Sequence, residues 1–322
     1  MLRFIATRIA GVVPQLLLVS LLAFGIVKAA PGDPVASLAG GVEFMSAADH
    51  ARVSHNLGLD QPLPVQYGRW LARMLQGDWG SSLKDGRPVF EVVARALGYS
   101  LLLVGIVWTL IIVTGIVLGY LAGSAPESRR DTVISGFAAL SFAVPPFWLG
   151  LMLIVVFSVG LGLLPASGSA RIGGSGSLID RAAHLVLPVA TLLLTQLGPY
   201  IRLVRSSVRD TLSAGFVRAA RARGLSRRTL VRRYILPNAL TPFITWAGLS
   251  LPLLISGAFV VEWVFSWPGL GRLFLQSSMS REYPFLVGCV VVVCTLVIAG
   301  NLLADCLVAA LNPKLRRSHA GE

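Results

Sequence analysis

Long apolar runs dominate the order of residues along this chain. Six of them reach 18 residues or more with almost no charge, over 9–27, 98–122, 133–164, 182–201, 239–261 and 284–311. A helix needs about 20 apolar residues to cross the hydrocarbon layer of a bilayer. The pattern therefore predicts an all-α, polytopic integral membrane protein with six transmembrane helices. The third run is too long for one straight crossing. Pro145 and Pro146 sit in its middle and remove two backbone donors, so one kinked helix is expected. The rival division into two short segments gives seven spans and moves the C-terminus outside. The first run follows Arg3 and Arg8 and precedes Ala29-Ala30, as a cleavable leader would. It exceeds the usual apolar core of about 7–15 residues, and Lys28 interrupts any small-x-small cleavage site, so a retained first helix is expected.

Composition agrees with the pattern. Of 322 residues, 55% are hydrophobic and only 13% charged, with a mean hydropathy of +0.74. A soluble domain carries roughly 25% charged residues, which excludes a water-soluble globule. The net charge of +13 suggests nucleic acid until its location is considered. With six spans and a cytoplasmic N-terminus, the cytoplasmic pieces hold 17 Lys and Arg against 4 acidic residues, the whole excess. This is the positive-inside pattern, so the basicity sets topology and no nucleic-acid partner is expected. Both termini are then cytoplasmic. Residues 1–30 form the N-terminus and first transmembrane helix, and 31–97 an external segment. Residues 98–311 form the transmembrane core with a cytoplasmic loop at 202–237, and 312–322 a cytoplasmic tail.

The external segment has a helix start at Ser46-Ala47-Ala48-Asp49. Val65, Trp70, Leu71, Met74 and Leu75 then recur at helical spacing beside Arg69 and Arg73, as in an amphipathic helix lying on the outer surface or on another element. His50 and His55 match no metal spacing and read as solvated. The run Gly173-Gly174-Ser175-Gly176-Ser177 reads as flexible linker. Cys289, Cys294 and Cys306 all fall in the last apolar run and form neither a disulfide framework nor a zinc signature.

What is missing narrows the function. The only lysines are Lys28, Lys84 and Lys314, and none belongs to a phosphate-binding loop, so no ATPase site and no cofactor are expected in this chain. No nucleophile elbow or zinc-protease pattern occurs, which argues against an enzyme. A self-sufficient secondary carrier would need an internal repeat or an ion site at membrane depth. The spans offer little of that kind. His184 lies near the outer end of the fourth run, and Asp305 about 9 Å from the cytoplasmic end of the last, within reach of an interfacial partner.

The loop between the fourth and fifth runs is the most informative stretch. Phe216, Ala219 and Ala220 share one helical face, and Arg218 and Arg221 another. Gly224 is placed to end this helix in the left-handed conformation that glycine takes cheaply, and Ser226 to cap a second one. A basic amphipathic helix of this kind either lies at lipid headgroups or docks on a partner.

This loop resembles the "EAA" loop of ATP-binding-cassette (ABC) importer permeases, a short helix that sits in a groove of the cytoplasmic ATPase. Ala219, Ala220, Gly224 and Leu236-Pro237 match, while Arg218 replaces the Glu and Tyr234 the Ile. The sequence Arg218-Ala219-Ala220-Arg221-Ala222-Arg223-Gly224-Leu225 is similar to the dipeptide/oligopeptide branch. Further pieces agree in order: Pro31-Gly32-Asp33-Pro34, Leu57-Gly58-Leu59-Asp60-Gln61-Pro62, Gly77-Asp78-Trp79-Gly80, Glu262 followed by Phe265-Ser266-Trp267-Pro268-Gly269, and Asn312-Pro313-Lys314. The long segment after the first span resembles the B-type permease of the pair.

The resemblance implies a type I ABC importer permease fold, in a peptide importer of the inner membrane. Its partners are a homologous C-type permease, one or two cytoplasmic ABC ATPases that bind and hydrolyse ATP, an external solute-binding protein and the bilayer. Nickel or another small solute is the alternative cargo. ATPase coupling falls to Phe216, Arg218, Ala219, Ala220, Arg221, Arg223, Gly224 and Leu225. Glu262, Trp267, Pro268 and Gly269 are expected at the outer end of the path as a docking site or gate, with Glu262 at the water boundary and in no need of a buried partner.

Overall fold

The computed structural model describes residues 2–29, 60–82, 84–171, 173 and 177–311. Among the described residues, the long apolar runs are helical over most of their length. Helix α1 is Leu2–Ala29, α2 is Leu63–Leu75, α3 is Val89–Gly123 and α4 is Arg129–Ala143. Helix α5 is Pro146–Leu153 and continues as a π-helical stretch, Ile154–Gly160. Helices α6 (Leu178–Ser213), α7 (Gly215–Ala222) and α8 (Arg227–Leu230) follow; α8 leads through the π-helical Val231–Ile235 into α9 (Leu236–Val264). The chain then forms α10 (Leu270–Ser280) and α11 (Tyr283–Leu311).

Among the described residues four helices are long and apolar enough to cross a bilayer: α3, α6, the stretch Arg227–Val264 and Tyr283–Leu302. The α4–α5 pair is a further crossing if counted as one, and α1 contributes the apolar stretch Gly11–Ile26. The expectation of one kinked third helix is corrected: α4 and α5 meet at 103°. The cause is local. Val144 (φ −88°, ψ 123°) and Pro145 (φ −63°, ψ 134°) are both extended, because a residue before proline is pushed out of the helical region and here two such positions adjoin. The first residues of the expected 202–237 loop, 202–213, are helical. Helix α6 is capped by Ser177, whose Oγ accepts from the Asp180 amide, and runs 36 residues, about 54 Å. That is well beyond a hydrocarbon layer of roughly 30 Å.

Helices α3, α6 and α9 enclose the core, with Leu103, Ile111, Leu192, Ile201, Phe243 and Val261 all buried. Close approach of α3 to α6 depends on glycine. A Cβ on Gly119 would fall 2.5 Å from Val204 Cβ, and one on Gly123 2.6 Å from the Arg205 carbonyl oxygen. Such small-residue lines let membrane helices pack backbone to backbone.

The amphipathic helix near residue 70 is α2, and it lies against α1. Tyr67 Oη and Ser20 Oγ are 2.7 Å apart, and Phe24 packs on the rings of Tyr67 and Trp70. The expected features at 31–59 (with Ser46, Asp49, His50 and His55), at 174–176 and at 312–322 lie outside the described residues, as does the side chain of Asp305.

Candidate functional site

Two turns, at opposite ends of α9, hold the residues singled out in the sequence. The first links α6 to α9 at the Arg-rich end. The chain leaves α6 at Ala214, which is extended, and enters α7 without a side-chain cap. Gly224 ends the turn after α7 with φ +77°, and its amide donates to the Arg221 carbonyl at 3.0 Å. No atom lies within 4 Å of where a Cβ on Gly224 would sit, so the demand there is torsional. Ser226 caps α8, its Oγ accepting from the Thr229 amide at 3.3 Å.

On α7 the buried residues are Val217 and Ala220. The turn at Ala214 fixes which side meets α6, and Val217 falls on it. Phe216 is left 46% exposed, and Arg218, Ala219, Arg221 and Arg223 are exposed with it; Leu225 is half-buried. Among the described residues none of Arg218, Arg221 and Arg223 is in an ion pair. The turn thus offers an aromatic knob rimmed by unpaired cations.

The second turn links α9 to α10. Here the expected placement of Glu262 at the water boundary is corrected. Glu262 is fully buried, and both carboxyl oxygens are engaged. Ser100 Oγ of α3 donates to Oε1 at 2.6 Å, and the Gly271 amide donates to Oε2 at 2.7 Å. Ser100 Oγ in turn accepts from the Leu270 amide at 2.8 Å. The Glu262 carbonyl accepts from the Trp267 amide at 2.8 Å, and Trp267 Nε1 donates to the Tyr99 carbonyl at 3.0 Å. Gly269 lies so close to the carboxyl that a Cβ there has no room. Burial requires such pairing, since an unsatisfied carboxyl in an apolar core is costly. Trp267 and Gly269 are buried and Pro268 is half-buried, so these side chains form a packed joint and present little surface for docking.

A third cluster escaped sequence reasoning. Asp131, at the start of α4, takes a bidentate pair from Arg205 of α6 (Nε 2.5 Å, Nη2 2.7 Å) and is capped by Ser128. Asp131 was one acid among many basic residues; only the fold brings it to Arg205, 74 positions on.

The family described as "Binding-protein-dependent transport system inner membrane component" matches residues 115–317, and its N-terminal companion matches residues 1–115. The chain belongs to this permease family. Among curated relatives, the oligopeptide transport system permease protein AppB of Bacillus subtilis is 38% identical, the match covering 98% of this chain and 99% of that one. The dipeptide transport system permease protein DppB of Escherichia coli K12 is 35% identical with the same coverage. The glutathione transport system permease protein GsiC of Salmonella paratyphi A is 37% identical. The MetNI methionine ABC transporter in an inward-facing conformation matches with a TM-score of 0.56 at 19% identity, over 69% of this chain and 96% of that one. An amino acid ABC transporter matches with a TM-score of 0.51 at 16% identity, over 68% of this chain and 94% of that one. The fold is that of ABC importer permeases, and this chain is a multi-pass transport component of a binding-protein-dependent system.

Proposed function

We propose that this chain forms half of the translocation pathway of an ABC importer for short peptides. The observation that carries the reading is full-length similarity to oligopeptide and dipeptide permeases, joined to a turn shaped for partner docking. A homologous C-type permease completes the pathway. An external solute-binding protein delivers cargo, and cytoplasmic ATPases bind and hydrolyse ATP; this chain has no ATPase site and needs no cofactor. It lies in the inner membrane with both termini and the α7 turn cytoplasmic, and residues 31–97 outside, as the one-sided excess of arginine favours.

Helix α7 seats in a groove of an ATPase through Phe216, Arg218, Ala219, Ala220, Arg221, Arg223, Gly224 and Leu225. Closure of the ATPases on ATP then moves α7, and α6 and α9 with it, shifting the permease pair between inward-open and outward-open states. Each partner drives this only by binding one state better than the other. The test is uptake and ATPase stimulation by the assembled complex in proteoliposomes, with dipeptides, oligopeptides, glutathione and nickel compared. Stimulation by nickel and by no peptide would overturn the cargo assignment. Labelling of a cysteine at position 60 only from the cytoplasmic side would overturn the topology.

A further inference from the structure

An open cleft of about 940 Å³ lies between α6 and α9 on the half nearer the α7 turn. Its walls include Pro199, Arg202 and Ser206 of α6 and Pro242, Thr245 and Trp246 of α9. The two arginines of this region differ sharply. Arg205 is committed to Asp131 through two hydrogen bonds. Arg202 is exposed, rests over the Phe142 ring at 5.7 Å, and among the described residues has no carboxylate in ion-pair range. Trp246 is 40% exposed on the facing wall.

A guanidinium with no carboxylate in ion-pair range and an indole face, on facing walls of one cavity, make a specific set. A planar guanidinium binds a carboxylate through two parallel hydrogen bonds. An aromatic wall packs against varied side chains at little cost in specificity. The volume falls in the range of small-molecule sites, about 300–1,000 Å³.

We propose that this cleft holds cargo inside the permease, with Arg202 taking the C-terminal carboxylate of a short peptide and Trp246 packing on its side chains. The proposal rests on the peptide-importer reading and adds to it a site, an orientation and a requirement. Cargo enters this cleft carboxylate-first, and a peptide with a blocked C-terminus loses its anchor.

The test uses the assembled transporter in inside-out vesicles, with Thr245→Cys as reporter in a chain whose Cys289, Cys294 and Cys306 are replaced by alanine. The rate of thiosulfonate labelling at position 245 is measured with a free dipeptide and with its C-terminal amide. Protection by the free dipeptide and little by the amide is expected. Arg202→Gln should weaken that protection about tenfold, the effect of losing a charged hydrogen bond. Arg202→Lys should restore part of it. The same Arg202→Gln chain should lose peptide uptake, and Arg202→Lys should regain part of it.

Equal protection by dipeptide and amide, or protection that survives Arg202→Gln, overturns the proposal. Protection that appears only in vesicles of anionic lipid assigns Arg202 to a headgroup and also overturns it. Absence of labelling in every state shows the cleft covered by the second permease, with the same consequence. Normal peptide uptake by Arg202→Gln sinks this site alone, whereas absence of peptide uptake by the unaltered complex sinks the functional reading beneath it.

Discussion

The turns at the two ends of α9 are built from similar parts and behave oppositely. Each holds a residue of positive φ (Gly224 at +77°, Ser266 at +49°) next to a helix shorter than the spans beside it (α7, α10). At the α9–α10 turn the polar groups face inward. Glu262, Ser100, Leu270 and Gly271 tie three helices through one buried carboxyl. At the α7 turn the polar groups face outward, and only Val217, Ala220 and Leu230 are buried. Buried, satisfied networks fix geometry, because every displacement leaves a donor unpaired. The α9–α10 turn is therefore a stiff joint that carries α10 with α9. The α7 turn holds its place by a small apolar foot and keeps its chemistry free for a partner. Damage to the first should appear as lost stability, and damage to the second as lost coupling in a protein that still folds.

The largest effect is expected at Glu262. Glu262→Ala strands the Gly271 amide and the Ser100 hydroxyl in a dry site, at about 1–3 kcal/mol each. A fall in melting temperature and in membrane abundance should follow, measured by thermal unfolding of the purified complex in detergent. Gly269→Ala should do comparable harm, since the new methyl has no room beside the carboxyl. Glu262→Gln keeps the volume but turns one acceptor toward a donor, so a smaller loss of about 1–2 kcal/mol is expected. A Glu262→Ala complex that melts with the unaltered one would show the network to be slack, and the contrast between the turns would collapse.

Next in size is Gly224→Val. The site is open to solvent, so the cost is that of a left-handed backbone, about 1 kcal/mol or more, with β-branching adding to it. The spans are remote from it. Normal abundance is expected, with weak recovery of the ATPase on purification and loss of uptake. Gly224→Ala should fall between. Wild-type ATPase recovery and uptake in Gly224→Val would remove the coupling role from this turn.

The α7 turn was legible in the sequence and the α9–α10 joint was not. Gly224 and Ser226 act through local backbone preferences, which a few neighbouring residues determine. Glu262 could be placed near a helix end by counting, yet its environment depends on Ser100, 162 positions away. Nothing in the local pattern distinguishes a carboxyl at the water boundary from one sealed under a Gly-rich turn. Pro145-Pro146 marked the break in the third run, but the 103° angle depends on α4 and α5 each packing against α6. Phe216 shows where local pattern stops. A helical wheel groups it with Ala220, while the direction of the chain at Ala214 decides that Ala220 is buried and Phe216 exposed.

A smaller effect is expected for Ser226→Ala. An N-cap is worth about 1 kcal/mol, and this one closes a single turn of helix before the π-helical stretch. Frayed backbone at 226–230 should appear as faster amide hydrogen exchange there, with uptake reduced but present. Exchange unchanged from that of the parent chain would mean that Leu230, buried against the core, holds α8 by itself.

The smallest effect on stability, and the sharpest on the comparison, belongs to Phe216→Ala. The ring is 46% exposed, so its removal opens no cavity and should leave the melting temperature of this chain within error. Its worth lies in the complex. An aromatic that enters a desolvated pocket on a partner contributes about 2 kcal/mol or more, which corresponds to roughly thirtyfold weaker association when it is cut back. The arginines around it add attraction that fades with salt, because exposed charges are screened within about 10 Å at 0.1 M ionic strength. The two contributions separate experimentally. Phe216→Ala should weaken ATPase recovery equally at low and high salt, whereas Arg218→Glu should weaken it most at low salt. A headgroup-bound helix predicts another pattern: both substitutions would loosen the turn from anionic vesicles and leave ATPase recovery intact. That outcome would leave α7 as a membrane-surface helix, and the difference between the two turns would then concern lipid contact, with no bearing on coupling.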